Sequence, residues 1–273
     1  MMGETDADEG AAPGSTAARR DREVASVANA MRLIEALGRV ESCGISELAR
    51  ELGLSKPAVD RLVSTLMTGG YVEHVAENRK YRLTMKLVAV ANSIRDRTGL
   101  IDLARPSLLE LADQFHETVN LGTLYQGAIV YADSIPSRQM FRIEPVPGSE
   151  HPAYTTAMGK AVLAFLPADQ LDRYLREFRP VPYTRFTATS AAELRDRISR
   201  AREAGYALDD GELVEEVCCV AAPILDASGH AIAAISITTI RSRFSRSREQ
   251  LTKAVVDAAH TVSQAVIMGR HDE

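Results

Sequence analysis

The 273-residue chain is 45% hydrophobic and 25% charged, with three cysteines and a formal net charge of −5. That length leaves room for two domains and a sizeable core, and the composition is that of a soluble globular protein. No apolar run approaches the roughly 18 residues of a membrane span, and three cysteines, two of them adjacent, make no disulfide framework, which fits a reducing cytoplasm. Residues 1–23 begin with Glu4, Asp6, Asp8 and Glu9 and lack the basic and apolar regions of a secretory signal; they read as an acidic disordered tail.

Val24, Val27, Met31, Ile34 and Leu37 mark a first helix able to cover the two that follow. Ile45, Leu48, Ala49 and Leu52 recur at i, i+3, i+4 and i+7, and Val59, Leu62, Val63, Leu66 and Met67 repeat the pattern, so each segment buries one stripe. Ser46 is a suitable N-cap for the first of these helices, with Glu47 in its first turn, and Gly53 ends it. Ser55 caps the second, and Pro57 is tolerated in its first turn because that N–H lacks a helical acceptor. Two helices joined by so short a turn form a helix-turn-helix, about 45–64, whose second helix enters the major groove of DNA. Helix-Gly-helix corners also occur in ordinary bundles, but the next segment favours DNA. Gly69-Gly70 stops the helix, Tyr71–Val75 and Arg79–Leu83 read as paired strands, and Glu77-Asn78 turns between them. That hairpin is a wing, and Arg79 and Lys80 at its tip suit phosphates. Charge is also favourable locally: residues 19–86 carry 12 Lys+Arg against 9 Asp+Glu, a net +3 within the acidic whole.

Residues 85–98 continue as a helix with Leu87, Val88, Ala91 and Ile94 on one stripe, either a spacer or a dimer contact between two heads. Asp102 caps a helix to about His116, with Pro106 in an early turn. Val119–Tyr125 and Ala128–Ser134 are strands joined at Gln126-Gly127. TTAMGKAVLAFL opens a helix capped by Thr155 or Thr156. Ser190 to Glu193 is a capping box for a helix ending at Gly205, and Cys218–Leu225 and Ala231–Ile240 are strands around the Asp226–Gly229 turn. Ser247 to Gln250 is a second box opening the last helix, which leaves RSRFSRSR, 241–248, as a solvated loop or, less readily, a second nucleic-acid patch. Hairpins with helices at their ends indicate an α+β domain with a mostly antiparallel sheet. The expected organisation is a winged helix-turn-helix at 24–85, a linker helix at 86–101 and a second domain at 102–270.

Both halves together resemble the IclR family of bacterial transcription regulators. The head carries LARELGLSKPAVDRLVSTL, then GGYV and YRLT. The second half carries GKAVLA and GYALDDGELVEEVCCVAAPI, where Gly205, Asp209, Glu212, Cys219 and Ala221 occupy the places of the family signature. The resemblance implies a winged head, a GAF-like effector domain and assembly as homodimers or homotetramers on double-stranded operator DNA. It places an effector, a small organic acid, against Ala157, Met158, Asp209, Val217, Cys219, Ser236 and Thr238. A helix start at Ala157-Met158 suits a carboxylate, and Ser236 and Thr238 alternate onto one face of a strand.

On the DNA side the expected contacts are Ser55, Lys56, Pro57, Ala58, Asp60, Arg61, Ser64, Arg79 and Lys80. Arg61 serves either as a bidentate guanine reader or as a phosphate clamp. Asp60 either accepts from a cytosine amine or plays a structural part, the latter slightly favoured. Pro57-Ala58 stands where the family often has a hydroxyl pair, and Glu216 where many members have glycine; the latter either narrows the pocket or faces solvent. Asp209, Glu212 and Cys219 also resemble a hydrolase set, but no histidine lies close in sequence, and no His/Cys spacing suits a metal. MGKA lacks the first glycine and the Ser/Thr of a phosphate loop. No cofactor, metal or catalysis is expected. The remaining alternative is a ligand-sensing or protein-interaction module without sequence-specific DNA binding.

Overall fold

The computed structural model describes residues 24–76, 79–91 and 99–269. The chain divides into two compact units, Met1–Arg97 and Thr98–Glu273.

In the first unit α1 (Ala25–Gly38), α2 (Ile45–Leu52) and α3 (Lys56–Thr68) precede an antiparallel hairpin of β1 (Val72–Val75) and β2 (Lys80–Leu83). Leu33, Leu37, Leu48, Leu52, Val59, Val63 and Val72 form its core. The buried stripe of α1 is not the expected one. Leu33, Ala36 and Leu37 turn inward, whereas Val24, Val27 and Met31 are exposed, because only the C-terminal half of the helix crosses α2 and α3. Gly53 ends α2 at φ 67°, as expected of the residue that reaches the left-handed region without strain. The cap of α2 differs: Gly44, not Ser46, is the N-cap, and its N–H donates to Glu47 Oε2 at 3.0 Å. The reason lies one residue upstream, where Cys43 and Tyr81 exchange backbone hydrogen bonds of 2.9 Å and hold the chain extended to that point. Ser55 is the N-cap of α3 by position, without a side-chain cap bond. The Glu77-Asn78 turn and Ile94 lie outside the described residues. Residues 86–91 are helical, whereas Leu100 and Ile101 belong to the next helix rather than to a linker.

The second unit is a three-layer α+β domain. Its sheet runs β5-β4-β3-β8-β7-β6, every neighbouring pair antiparallel. The strands are β3 (Thr118–Tyr125), β4 (Ala128–Ile135), β5 (Glu150–Pro152), β6 (Ala207–Asp210), β7 (Val217–Leu225) and β8 (Ala231–Ile240). Gln126 (φ 47°) and Gly127 (φ 85°) make the primed turn that matches the strand twist between β3 and β4. One face packs on α4 (Leu100–Phe115) and α8 (Arg241–Gly269), using Val119, Leu121, Cys218, Val220, Ile224, Ile235 and Ile237. The other face packs on α5 (Ala157–Ala164) and α7 (Ala191–Ala204) through Ile129, Tyr131, Met158, Ala161, Ala221 and Ala234, with α6 (Ala168–Arg176) at its margin. Cys218 and Cys219 therefore face opposite layers, as period-two alternation requires.

Two helix starts depart from expectation. Gly99, at φ 59°, caps α4, and Asp102 lies in the first turn. Residues 241–248 are not a loop: α8 begins at Arg241, directly after β8, and Ser247 sits inside it. Phe244 is buried and continues at i+7 and i+11 into Leu251 and Val255, while Arg243 reaches inward to Glu117 (2.5 Å), so polar composition hid an apolar stripe. The short strands β5 and β6 carry too few alternating apolar residues to be read from sequence, whereas α6, with Leu171, Tyr174 and Leu175 on one side, carried a helical stripe that the sequence reading passed over. No helix among the described residues is long and apolar enough to cross a membrane.

Candidate functional site

On the head, α3 buries Val59 and Val63 and turns Lys56, Pro57, Asp60, Arg61 and Ser64 outward, with Ser55 exposed and Ala58 half-buried beside them. Backbone acceptors on this helix already take two hydroxyls: Thr65 Oγ1 donates to the Arg61 carbonyl (2.8 Å) and Thr68 Oγ1 to that of Ser64 (3.0 Å). The ladder of the wing is crossed below its tip by Arg82 Nε and Glu73 Oε1 at 2.7 Å, which compensates both charges. At the tip Arg79 is exposed at φ 53°, while Lys80 is half-buried. The Gly44 N–H first, then the Cys43 thiol and the Lys80 charge, hold the Glu47 carboxyl below its ordinary value, so Lys80 also acts within the head. Sequence reading missed Lys86, whose Nζ donates to the Gly69 carbonyl (2.6 Å) and lies 4.7 Å over the Tyr71 ring, tying the base of the wing to the end of α3.

In the second unit all seven expected residues, Ala157, Met158, Asp209, Val217, Cys219, Ser236 and Thr238, line one cavity of about 260 Å3. Thr156 caps α5, its Oγ1 accepting from Gly159 N–H at 2.9 Å. Lys160 N–H goes to the Thr156 carbonyl, so the N–H groups of Ala157 and Met158 are the two at this helix start without an intrahelical acceptor. A Cβ on Gly159 would come within 2.0 Å of the Ala153 carbonyl oxygen, which explains the glycine: only it lets the helix start press against the preceding 3-10 turn. Opposite, Asn120 Nδ2 donates to Ser236 Oγ (3.3 Å) and Thr238 Oγ1 (3.1 Å), and Cys219 Sγ lies 3.3 Å from Thr238 Oγ1. Ile143, Pro145, Leu213 and Val214 complete the apolar walls.

Two polar residues that line this cavity, Tyr131 and His151, and one behind its wall, Asn120, escaped the sequence reading. Asn120 stands among Val119 and Leu121 in a strand, where asparagine is unfavourable, and that mismatch was its signal. Tyr131 and His151 meet across the β4–β5 pair, His151 Nδ1 being 3.3 Å from Tyr131 Oη. Folding thus brings a histidine to the wall shared by Cys219 and Asp209, but its hydrogen bond goes to Tyr131. Burial lowers the His151 pKa, and burial first, then Asp209, pushes that of Cys219 well up, so the thiol is kept protonated rather than made a nucleophile.

Asp209 is buried and its pKa is raised to about 7 by desolvation, against the pull of Lys160. Its Oδ1 accepts from Glu212 N–H at 2.8 Å. Behind it, Lys160 Nζ meets Glu212 Oε1 at 2.6 Å and Arg197 meets Glu212 Oε2 at 2.5 Å. A larger, more open cavity of about 570 Å3 lies on that side, lined in part by Arg185, Arg197, Arg200 and Arg248. Three of these arginines already pair with Glu215, Glu212 and Asp196 respectively, so its charge is largely compensated. Among the described residues, no group of three or more His, Cys, Asp or Glu is arranged to hold a metal ion.

A winged helix-turn-helix joined to a cavity-bearing α+β unit defines a ligand-responsive, DNA-binding transcriptional regulator. Comparison with known proteins gives the family. Residues 26–76 match the IclR helix-turn-helix domain, and residues 92–264 match the bacterial transcriptional regulator IclR C-terminal domain. The HTH-type transcriptional regulator KdgR of Escherichia coli (strain K12) is 34% identical over 251 residues, 91% of this chain and 94% of that protein. The crystal structure of a transcriptional regulator from Rhodococcus sp. RHA1 superposes with a TM-score of 0.77 at 30% identity, covering 89% of this chain and 98% of the other. An IclR homolog from Microbacterium hydrocarbonoxydans complexed with 4-hydroxybenzoate shares the fold at 20% identity, with a TM-score of 0.77 over 88% of this chain and 98% of that one. The chain belongs to the IclR family of transcriptional regulators.

Proposed function

We propose that this regulator is non-catalytic, acts as a homodimer or homotetramer in the cytoplasm, and binds a two-fold related operator through Arg61 and its neighbours on α3. Its effector is a small organic acid, aromatic or short-chain, and the genes it controls serve the catabolism of that acid. The observation that carries this reading is the convergence of a helix start with two unclaimed N–H groups and two strand hydroxyls on one largely apolar cavity. Neutral donors at a helix dipole favour an anion, and the apolar walls favour a carbon skeleton behind it. A cavity of about 260 Å3 suits a ligand no larger than a substituted benzoate. Fluorescence anisotropy with DNA from upstream of its own gene, titrated with salt and with small acids, tests the reading. Salt-dependent, sequence-selective binding that one acid alters is expected. Equal affinity for unrelated duplexes would instead favour a sensing module without an operator.

A further inference from the structure

We propose that Asn120 is a positioning residue that sets the polarity of the effector cavity, turning the Ser236 and Thr238 hydroxyls into donors and so selecting an acid over its neutral amide. The inference rests on the effector reading above and adds the residue that enforces it. Asn120 is fully buried on β3, with Ser134 of β4 and Ser236 of β8 directly opposite it on either side. Its Oδ1 accepts from Ser134 Oγ at 2.8 Å, and its Nδ2 donates to Ser236 Oγ at 3.3 Å and Thr238 Oγ1 at 3.1 Å.

The orientation of that amide follows from counting. Two acceptors beside Nδ2 use both of its hydrogens, and one hydroxyl donor satisfies Oδ1. The flipped amide would have two hydroxyls on Oδ1 but only Ser134 for its two N–H groups, stranding one buried donor. With Nδ2 facing β8, each hydroxyl oxygen is committed as an acceptor, and its own O–H is released for another partner. Both side chains line the cavity, as do Ala157 and Met158 of the helix start. Thr238 Oγ1 has a second neighbour in Cys219 Sγ, and a protonated thiol can donate to it as well, which again leaves the threonine hydrogen for the cavity. Ser134, Asn120 and the β8 hydroxyls thus form a one-way relay of donors ending on the ligand. A carboxylate oxygen matches that end. The N–H2 of an amide does not.

The test uses the full-length protein and isosteric probe pairs: acetate and acetamide, lactate and lactamide, benzoate and benzamide, 4-hydroxybenzoate and 4-hydroxybenzamide. Affinities come from thermal shift followed by calorimetry, for wild type, Asn120→Asp and Asn120→Ala. Wild type should prefer the acid of the pair it binds. Asn120→Asp offers an acceptor where the amide donated, draws the hydroxyl hydrogens away from the cavity, and should reduce the acid-over-amide ratio by about tenfold or more, since a hydrogen bond to a charged group is at stake. Asn120→Ala frees the hydroxyls to turn either way and should reduce the ratio by less. A merely structural role would weaken acid and amide alike and leave the ratio where it was. If Asn120→Asp does not fold, the alanine variant decides alone. An acid preference surviving unchanged in the folded variants overturns this inference and leaves the effector reading standing. Wild-type preference for the amides, or no binding by any probe, overturns both.

Discussion

Lys160 Nζ lies 2.6 Å from Glu212 Oε1, with both side chains almost wholly buried. The pair joins α5, whose first residues line the cavity of about 260 Å3, to the segment after β6, and Arg197 of α7 also reaches Glu212. Taking these charges out of water costs several kcal/mol per ion, so the pair is no simple source of stability, but breaking it strands a charge. Glu212→Gln leaves Lys160 and Arg197 facing a neutral amide and is expected to destabilise the second unit by about 3–5 kcal/mol. The double variant Lys160→Met/Glu212→Gln should lose clearly less than the sum of the single losses. Urea unfolding of wild type, Lys160→Met, Glu212→Gln and the double variant checks this, and strict additivity would mean that the two side chains do not interact.

Asp209 predicts a pH dependence. Its pKa is raised to about 7 in the fold, chiefly by burial, from an ordinary value near 3.8. The folded state therefore holds a proton that the unfolded chain has lost between those values, and stability falls as pH rises through that window. The contribution is complete below about pH 4 and gone above about pH 7. Asp209→Asn should flatten the decline. Melting curves from pH 4.5 to 8 test it, and an identical slope in the variant would place the titration on another group.

The head yields a contrast between two arginines. Arg61→Ala, on the exposed face of α3, should weaken specific operator binding by ~1–3 kcal/mol if a base contact is lost, without unfolding the protein. Arg79→Ala, at the wing tip, should weaken all duplexes alike and lower the salt slope by about one. Anisotropy at several salt concentrations, with operator and scrambled duplex, separates the two. Unchanged operator affinity in folded Arg61→Ala would remove that residue from the interface.

Assembly is checked by mass. Val24, Val27 and Met31 form an exposed apolar stripe on α1, more than a lone monomeric head needs to show to water. At least two chains per particle are expected by light scattering at micromolar concentration, and Val27→Lys/Met31→Lys should raise the concentration needed for association. A wild-type monomer with full operator affinity would contradict this.

Much of this was legible where the signal is local. Gly53 and Gly205 each end a helix in the left-handed region, and Gln126-Gly127 makes its turn whatever surrounds it. Alternation along β7 and β8 separated Cys218 from Cys219 and put Ser236 beside Thr238. What stayed hidden depends on register or on distant partners. Asn120 matters because β4 and β8 flank it, and His151 because β5, three residues long, pairs with β4. Lys160, a lone charge in AMGKAVLA, went unread because its partner Glu212 lies 52 residues on and no local spacing links the two. The start of α8 was missed because Ser247 to Gln250 has the pattern of a capping box although it lies inside the helix, and Phe244 alone carries the first turn's burial.

The last prediction links the cavity to DNA. A ligand shifts operator affinity only by its differential affinity for two arrangements of the heads, and the helical segment opening at residue 86 follows the wing in the chain. Coupling between sites is typically ~1–3 kcal/mol, so an effector should alter operator affinity by about 5- to 150-fold. Ser236→Ala and Thr238→Val together delete the two hydroxyls that Asn120 polarises while keeping side-chain volume close to the original. The double variant should bind operator as wild type does in the absence of effector, because its changes lie in the second unit, on the α5 side of β8. It should lose the response to acid, and calorimetry should show weakened binding. Wild-type effector affinity in that variant would put the ligand elsewhere. Weakened affinity with a normal response at saturating acid would mean that the hydroxyls hold the ligand while another contact transmits its presence.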